Sequence, residues 1–145
     1  MTIYFDMDGT IADLYAQDNW LDDLIHEYTR PYRNAKAMLN MRELGKTLNK
    51  LQAHGIAIGV ISWTSRGGSA QYGEKVTRAK LQWLAHHLSA VNFNELHIVE
   101  YGIPKTTFRK SADDILFDDE EKNRSVWGKN SFPPEKILEV LNALL

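Results

Sequence analysis

TIYFDMDGT, residues 2–10, joins a short run of β-prone residues to two aspartates and a glycine. The run 3–5 predicts a strand, and Gly9 predicts a turn directly after it. Side chains alternate along a strand with a period of two, so Asp6 and Asp8 lie on the same face of an ideal strand. The chain must bend after Asp6 to bring both acids to one ligand, and Gly9 supplies the backbone freedom for that bend.

Outward from this segment, apolar strands alternate with amphipathic helices. The run 56–61 is apolar at nearly every position, which is typical of a strand covered on both faces of a parallel sheet. The further predicted elements are strands at 96–99 and 114–117, helices at 41–53 and 74–88, a short helix from Pro104, and a last helix opened by Pro133-Pro134. In the second of these helices, Val76, Leu81 and Leu84 are expected to face the core. The alternation predicts an α/β fold with a doubly wound parallel sheet between two layers of helices.

The length of 145 residues fits a single domain, 1–145, with a small insertion at about 12–40. Within the insertion, Trp20 and Leu24 recur at helical spacing, which predicts a short helix there. The segment Val126-Trp127-Gly128, near the end of the chain, is expected to lie in a loop.

The bulk composition is that of a globular protein, with 43% hydrophobic and 25% charged residues. The absence of cysteine excludes disulfides, thiolate metal sites and a cysteine nucleophile. No apolar run approaches the ~20 residues that cross a bilayer, and the first residues lack the basic segment of a signal peptide. The formal net charge of −2 provides no general attraction to nucleic acid or to an anionic membrane. We therefore expect a cytoplasmic protein without a membrane partner.

Polar side chains follow each predicted strand. Because the carboxyl ends of parallel strands meet at one edge of the sheet, ligands of open α/β folds bind at that edge. The side chains expected there are Asp6 and Asp8, Ser62 or Thr64, Lys105, and the acid pair Asp118 and Asp119. Two carboxylates about 4 Å apart repel each other by about 4 kcal/mol at an effective dielectric of ~20, so such a cluster takes up protons or binds a cation. Oxygen ligands without sulfur favour Mg²⁺, and a phosphoryl group would satisfy the metal, the lysine and the hydroxyl together.

The order of these residues resembles the signatures of the haloacid dehalogenase superfamily. The segment 6–10, after a hydrophobic strand, is similar to the first signature, and the hydroxyl, the lysine and the paired acids follow in the family's order. The resemblance covers about residues 2–124 and implies a Rossmann-like, three-layer α/β/α fold. The family usually carries a mobile cap that selects the substrate. The insertion point after the first strand holds only about thirty residues here, so we expect at most a small cap and a rather open site.

The resemblance implies a Mg²⁺-dependent phosphohydrolase in which Asp6 attacks phosphorus and forms an aspartyl-phosphate. Asp8 would protonate the leaving group and later activate the hydrolytic water. Lys105 would neutralise the phosphoryl oxygens. For the hydroxyl that hydrogen-bonds them, Ser62 is preferred over Thr64, because Ser62 directly follows the apolar run.

The family also implies a metal site and substrate contacts. The implied metal ligands are Asp6, Asp8 through its backbone carbonyl, Asp118 and Asp119. The candidate substrate-binding residues are Gly9, Thr64 and Arg66. A halide leaving group needs no proton donor, so the second acid, at position 8, favours cleavage of a phosphate ester over dehalogenation.

Two other functions are compatible with these residues. A signalling receiver domain also combines acids, a hydroxyl and a lysine on a parallel sheet, but its acid pair comes first in the chain and its lysine last. A non-catalytic module that binds a phosphate group or a nucleotide would keep the fold without turnover. For an enzyme, the candidate substrates are small phosphate esters, nucleotides among them, and phosphorylated nucleic-acid ends. The aromatic residues near the sheet edge favour a nucleotide or a nucleic-acid end.

Overall fold

The computed structural model describes residues 1–145. The strands are β1 (Thr2–Phe5), β2 (Ala12–Asp13), β3 (Lys36–Ala37), β4 (Ala57–Trp63), β5 (Glu95–Val99), β6 (Ile115–Phe117) and β7 (Ser131–Phe132). The helices are α1 (Trp20–Ile25), α2 (Arg30–Asn34), α3 (Met41–Ala53), α4 (Ala70–His87), α5 (Glu121–Trp127) and α6 (Ile137–Ala143), with 3₁₀ helices at Lys105–Phe108 and Pro134–Lys136. None of the helices combines the length and apolar character that a membrane span requires.

The main sheet contains five parallel strands in the order β5-β4-β1-β6-β7. β1 lies at its centre and pairs with β4 on one side and with β6 on the other. The chain therefore winds outward from β1 in both directions, which confirms the predicted doubly wound α/β fold. The N–H of Asp6 continues the ladder, donating to the carbonyl of Phe117 at 2.9 Å. Asp6 is thus fixed at the carboxyl end of the central strand.

Alternate side chains of β1 face two different layers. Ile3 and Phe5 belong to the larger hydrophobic core, to which α3, α4 and α6 contribute buried side chains. Tyr4 instead packs with Leu116 and with Trp127 of α5. Both faces of the sheet are therefore covered, as the continuous apolar run of β4 predicts.

The insertion at 12–40 consists of β2, α1, α2 and β3, and its two short strands pair antiparallel. It is held against the N-terminus of α4. The Glu27 carboxylate accepts hydrogen bonds from the N–H of Ser69 at 2.9 Å and from the Ser69 hydroxyl at 2.8 Å. The Tyr72 hydroxyl donates to the carbonyl of Tyr28 at 2.7 Å. The insertion therefore lies against the loop that follows β4.

Three elements differ from the sequence prediction. The segment around Val126 is not a loop but the end of α5, where Trp127 is buried while Val126 is 63% exposed. Helix α4 begins at Ala70 rather than at residue 74, because the Ser69 side chain caps its N-terminus. The two-residue strand β7 is too short to leave a periodic signal.

Candidate active site

Three carboxylates meet at the carboxyl end of the main sheet. Asp6 follows β1, Asp118 and Asp119 follow β6, and oxygen atoms of all three lie within 4.8 Å of one another. These residues are called the acid cluster below. Burial raises the pKa of Asp118 and of Asp119, and the negative charge of Asp6 raises both further. A divalent cation would relieve this repulsion.

Lys105 places its ammonium group between two acids of the cluster. It starts the 3₁₀ helix that follows β5, and its Nζ donates to Asp6 Oδ1 at 2.8 Å and to Asp118 Oδ2 at 2.7 Å. The Lys105 side chain is only 4% exposed. Burial disfavours its charge, but the attraction of Asp6 and Asp118 outweighs that cost and raises the pKa of Lys105 above its usual value. Lys105 is therefore a fixed positive charge beside Asp6.

The turn after Asp6 brings Thr10 back to the acid cluster. The buried Thr10 hydroxyl donates to Asp6 Oδ2 at 3.0 Å, and its oxygen accepts the N–H of Asp119 at 3.1 Å. Gly9, between them, has a φ of +78°, and a Cβ at this position would overlap the Asp119 carboxylate. Both the left-handed backbone and the close approach of Asp119 therefore require glycine.

A second lysine contacts Asp8. Lys80, from the middle of α4, donates from Nζ to Asp8 Oδ2 at 2.8 Å, to Ser62 Oγ at 2.7 Å and to the carbonyl of Trp63 at 2.7 Å. Burial raises the pKa of Asp8, and the charge of Lys80 opposes that rise. Each of the two acids after β1 thus has its own lysine.

A cavity of about 470 Å³ opens over Asp6, within the usual size range of small-molecule sites. The insertion supplies one aromatic pair to its wall, Tyr15 and Trp20, whose ring centroids lie 4.9 Å apart. A second aromatic pair comes from the main sheet: Trp63 ends β4, Tyr101 follows β5, and their ring centroids also lie 4.9 Å apart. The cavity therefore joins an acidic floor to aromatic walls.

The insertion forms part of the cavity wall. Leu21, Leu24 and Ile25 of α1 line the same cavity, so a short segment serves as a wall. Arg66, in the loop after β4, also lines it, and its guanidinium carbon lies 5.8 Å from the centroid of the Tyr101 ring.

This architecture is shared with a known phosphatase. The crystal structure of D,D-heptose 1,7-bisphosphate phosphatase from Burkholderia thailandensis matches this chain with a TM-score of 0.61, over 99% of this chain and 97% of that one. The predicted α/β fold with a doubly wound parallel sheet is thereby confirmed. The two sequences are 11% identical, so the likeness is one of fold. No protein-family model and no curated protein matches the sequence.

Within this fold, most of the predicted site residues lie at one edge of the sheet. The cavity is lined by Asp6, Asp8, Thr64, Arg66 and Lys105. The Asp8 side chain stands outside the acid cluster, because it is bonded to Lys80 instead. Gly9 is not among the residues that line the cavity, and it packs closely against the Asp119 carboxylate.

The preference for Ser62 over Thr64 needs correction. β4 extends to Trp63, so Ser62 lies inside the strand and pairs with Ile98 of β5. Ser62 is fully buried, and its Oγ is occupied by the Lys80 ammonium group. Thr64, which lines the cavity, is therefore the better-placed hydroxyl.

Sequence reasoning missed three polar residues of the site, namely Lys80, Thr10 and Asn123. The Asn123 side chain donates to Asp118 Oδ2 at 3.1 Å. A signal for Lys80 exists in the sequence, because it follows the buried Val76 by one helical turn, and a lysine on an apolar stripe is unusual. No such signal in the sequence identifies Asn123, because its hydrogen bond to Asp118 depends on where α5 starts.

Proposed function

We propose that this protein is a Mg²⁺-dependent phosphohydrolase that cleaves a phosphate monoester through an aspartyl-phosphate on Asp6. The observation that carries the proposal is the environment of Asp6. Its carboxylate lines the cavity, accepts hydrogen bonds from Lys105 and Thr10, and has two further acids within 4.8 Å. An aspartate that only caps a turn needs neither a buried lysine nor two acidic neighbours.

The proposed reaction has two steps. First, a carboxylate oxygen of Asp6 attacks phosphorus, the bond to the leaving oxygen breaks, and Asp8 donates a proton to that oxygen. Water then attacks the aspartyl-phosphate, Asp8 accepts its proton, and inorganic phosphate leaves with Asp6 restored. The Lys105 ammonium group stabilises the charge that develops on the phosphoryl oxygens, and the Thr64 hydroxyl donates a hydrogen bond to one of them.

The acid cluster fits a hard divalent cation. Its donors are all oxygen atoms, which favour Mg²⁺ over metals that prefer sulfur or imidazole. Together with Asp8, four carboxylates face the two ammonium groups of Lys80 and Lys105. With all four carboxylates ionised, four negative and two positive charges leave a formal charge of −2, which one divalent cation balances. With Asp8 protonated, the formal charge is −1, and the cluster still attracts a cation. When bound, Mg²⁺ would screen the negative charge of the nucleophile and of the phosphoryl group.

The cavity walls favour a phosphate ester with a flat, weakly polar leaving group, and a nucleoside monophosphate is the first candidate. Two aromatic pairs, Tyr15 with Trp20 and Trp63 with Tyr101, line the walls and offer uncharged ring faces. Arg66, whose guanidinium group lies over the Tyr101 ring, can contact a polar group of the substrate beside that ring. A nucleic-acid end has less support, because the chain carries a net charge of −2, which provides no general attraction to a polyanion.

Phosphate release from a panel of nucleoside monophosphates, sugar phosphates and aryl phosphates tests this function. We expect multiple turnovers with Mg²⁺, loss of activity with excess chelator, recovery when Mg²⁺ is returned, and the highest kcat/KM for nucleoside monophosphates. Uptake of a single phosphate per chain without release would indicate a receiver domain. Binding of nucleotides without any phosphate transfer would indicate a non-catalytic module.

A further inference from the structure

Lys80 is the one charged side chain on the buried face of α4. It is 1% exposed, and Val76 and Leu84, one turn away on either side, belong to hydrophobic core clusters. Burial of an ammonium group costs several kcal/mol unless its partners compensate. A methionine would fill similar space at lower cost, so packing alone does not explain a lysine at this position.

The Lys80 ammonium group connects the parts of the chain that surround the cavity. Its three hydrogen bonds go to Asp8, after β1, and to Ser62 and Trp63 of β4. Its Nζ also lies 5.1 Å from the centroid of the Tyr32 ring, which belongs to the insertion. All three N–H groups of the Lys80 ammonium group therefore have a hydrogen-bond acceptor beside the cavity.

Asp8 is oriented through this contact. Lys80 holds Asp8 Oδ2, whereas Oδ1 has no hydrogen-bond partner in the protein, and the Asp8 side chain is 17% exposed and lines the cavity. Lys105 bonds to Asp6 and Asp118 but not to Asp8. We infer that Lys80 is a positioning residue, which holds the Asp8 carboxyl group so that its free oxygen faces the leaving oxygen of the substrate.

This inference rests on the proposed function, because it gives Lys80 a part in the proton transfer by Asp8. As the bond from phosphorus to the leaving oxygen breaks, the proton of Asp8 forms a new O–H bond on that oxygen. Asp8 is left as a carboxylate, and the Lys80 ammonium group neutralises its charge. A leaving group that is stable as an anion needs no proton, so the contribution of Lys80 to the first step, which kcat/KM measures, must depend on the leaving group.

The leaving-group dependence of the Lys80→Met variant tests this inference. The kcat and KM are measured with Mg²⁺ on dinitrophenyl, nitrophenyl, phenyl and primary-alkyl phosphates. We expect a loss in kcat/KM of about 10–100-fold with the alkyl ester, a part of the full general-acid effect, and little loss with the dinitrophenyl ester. Lys46→Met, which changes an exposed lysine of α3, serves as the matched control and should follow the wild type on every ester.

The Lys80→Arg variant covers the case in which Lys80→Met does not fold. The guanidinium group keeps the charge but not the position of Nζ, so the same trend with leaving group is expected. When Asp8→Asn has removed the general acid, adding Lys80→Arg should cost little more. Unchanged kinetics, an equal loss of kcat/KM on every ester, or a full Lys80 effect in the Asp8→Asn protein would each overturn the positioning role. A wild-type protein without turnover would overturn the proposed function and this inference with it.

Discussion

The ammonium nitrogen of Lys105 lies 2.8 Å from Oδ1 of Asp6, a residue 99 positions earlier in the chain. Lys105 also bonds to Asp118, so the proposed nucleophile and a second member of the acid cluster share one positive charge. We expect Lys105→Ala to lose about 3–4 kcal/mol of transition-state stabilisation, or roughly 10²–10³ in kcat, by analogy with the loss of an oxyanion donor. Steady-state kinetics on an aryl phosphate measure the effect.

The control for this substitution is Lys129→Ala, which changes an exposed lysine after α5 and should keep normal activity. Circular dichroism shows whether each variant is folded. A folded Lys105→Ala protein with the kcat of the wild type would remove Lys105 from the proposed site.

Thr64→Val should reduce kcat/KM more than Ser62→Ala does. Thr64 lines the cavity, and a hydrogen bond from its hydroxyl to a charged phosphoryl oxygen contributes about 1.5–3 kcal/mol. Ser62→Ala removes only an acceptor of Lys80, which keeps its bonds to Asp8 and Trp63. Kinetics of both variants on the same ester decide the order, and a larger loss for Ser62→Ala would restore Ser62 as the phosphate-binding hydroxyl.

Mg²⁺ binding should release protons and weaken as the pH falls. Burial and the charge of Asp6 raise the pKa of Asp118 and of Asp119, so these carboxyls hold protons above the ordinary carboxyl range. Mg²⁺ binds the deprotonated forms of these carboxyls, so Mg²⁺ and protons compete for the same oxygen atoms. Without metal, these two carboxyls bind protons more tightly in the folded state than in the unfolded state. Their contribution to the free energy of unfolding therefore increases as the pH falls from above the folded-state pKa to the unfolded-state pKa.

Isothermal titration in two buffers of different ionisation enthalpy counts the protons released when Mg²⁺ binds. Asp119→Asn should lower that number, because it removes one of the two raised carboxyls. Binding without proton release at any pH between the ordinary carboxyl range and neutrality would show that the acid cluster does not hold the metal.

Glu27→Gln should loosen the insertion and raise KM severalfold while kcat stays near the wild-type value. The Glu27 carboxylate accepts two hydrogen bonds from Ser69, which lower the pKa of Glu27 and hold the insertion against α4. Glu74→Gln, an exposed change on α4, is the control. Kinetics and limited proteolysis within 14–28 measure the effect. An unchanged KM with unchanged proteolysis would show that this contact does not support the cavity wall.

Much of the fold could be predicted because its signals are local. The predicted helix 41–53 has the same bounds in the structure, where Asn40 caps its start and Gly55, with a φ of +86°, follows its end. The apolar run of β4 indicates a strand covered on both faces, and the position of the polar residues then follows from the rule that ligands bind at the carboxyl ends of parallel strands.

The rest depends on tertiary contacts that the local pattern does not show. Leu81 was expected in the core but is 38% exposed, while its neighbour Lys80 is buried by partners from three other segments. Similarly, the end of β4 cannot be read from hydrophobicity, because Ser62 and Trp63 continue the pairing with β5. The hydrogen bond from Asn123 to Asp118 is also a tertiary contact, so the sequence pattern does not predict it.

The nucleophilic role of Asp6 is tested most directly by comparing Asp6→Asn with the wild type. The measurement is Mg²⁺-dependent phosphate release from the best substrate, together with a mass-spectrometric search for phosphate on Asp6 in acid-quenched wild-type protein. We expect no turnover by Asp6→Asn, normal turnover by the exposed control Asp113→Asn, and phosphate on Asp6 of the wild type. Normal turnover by a folded Asp6→Asn protein would contradict the account.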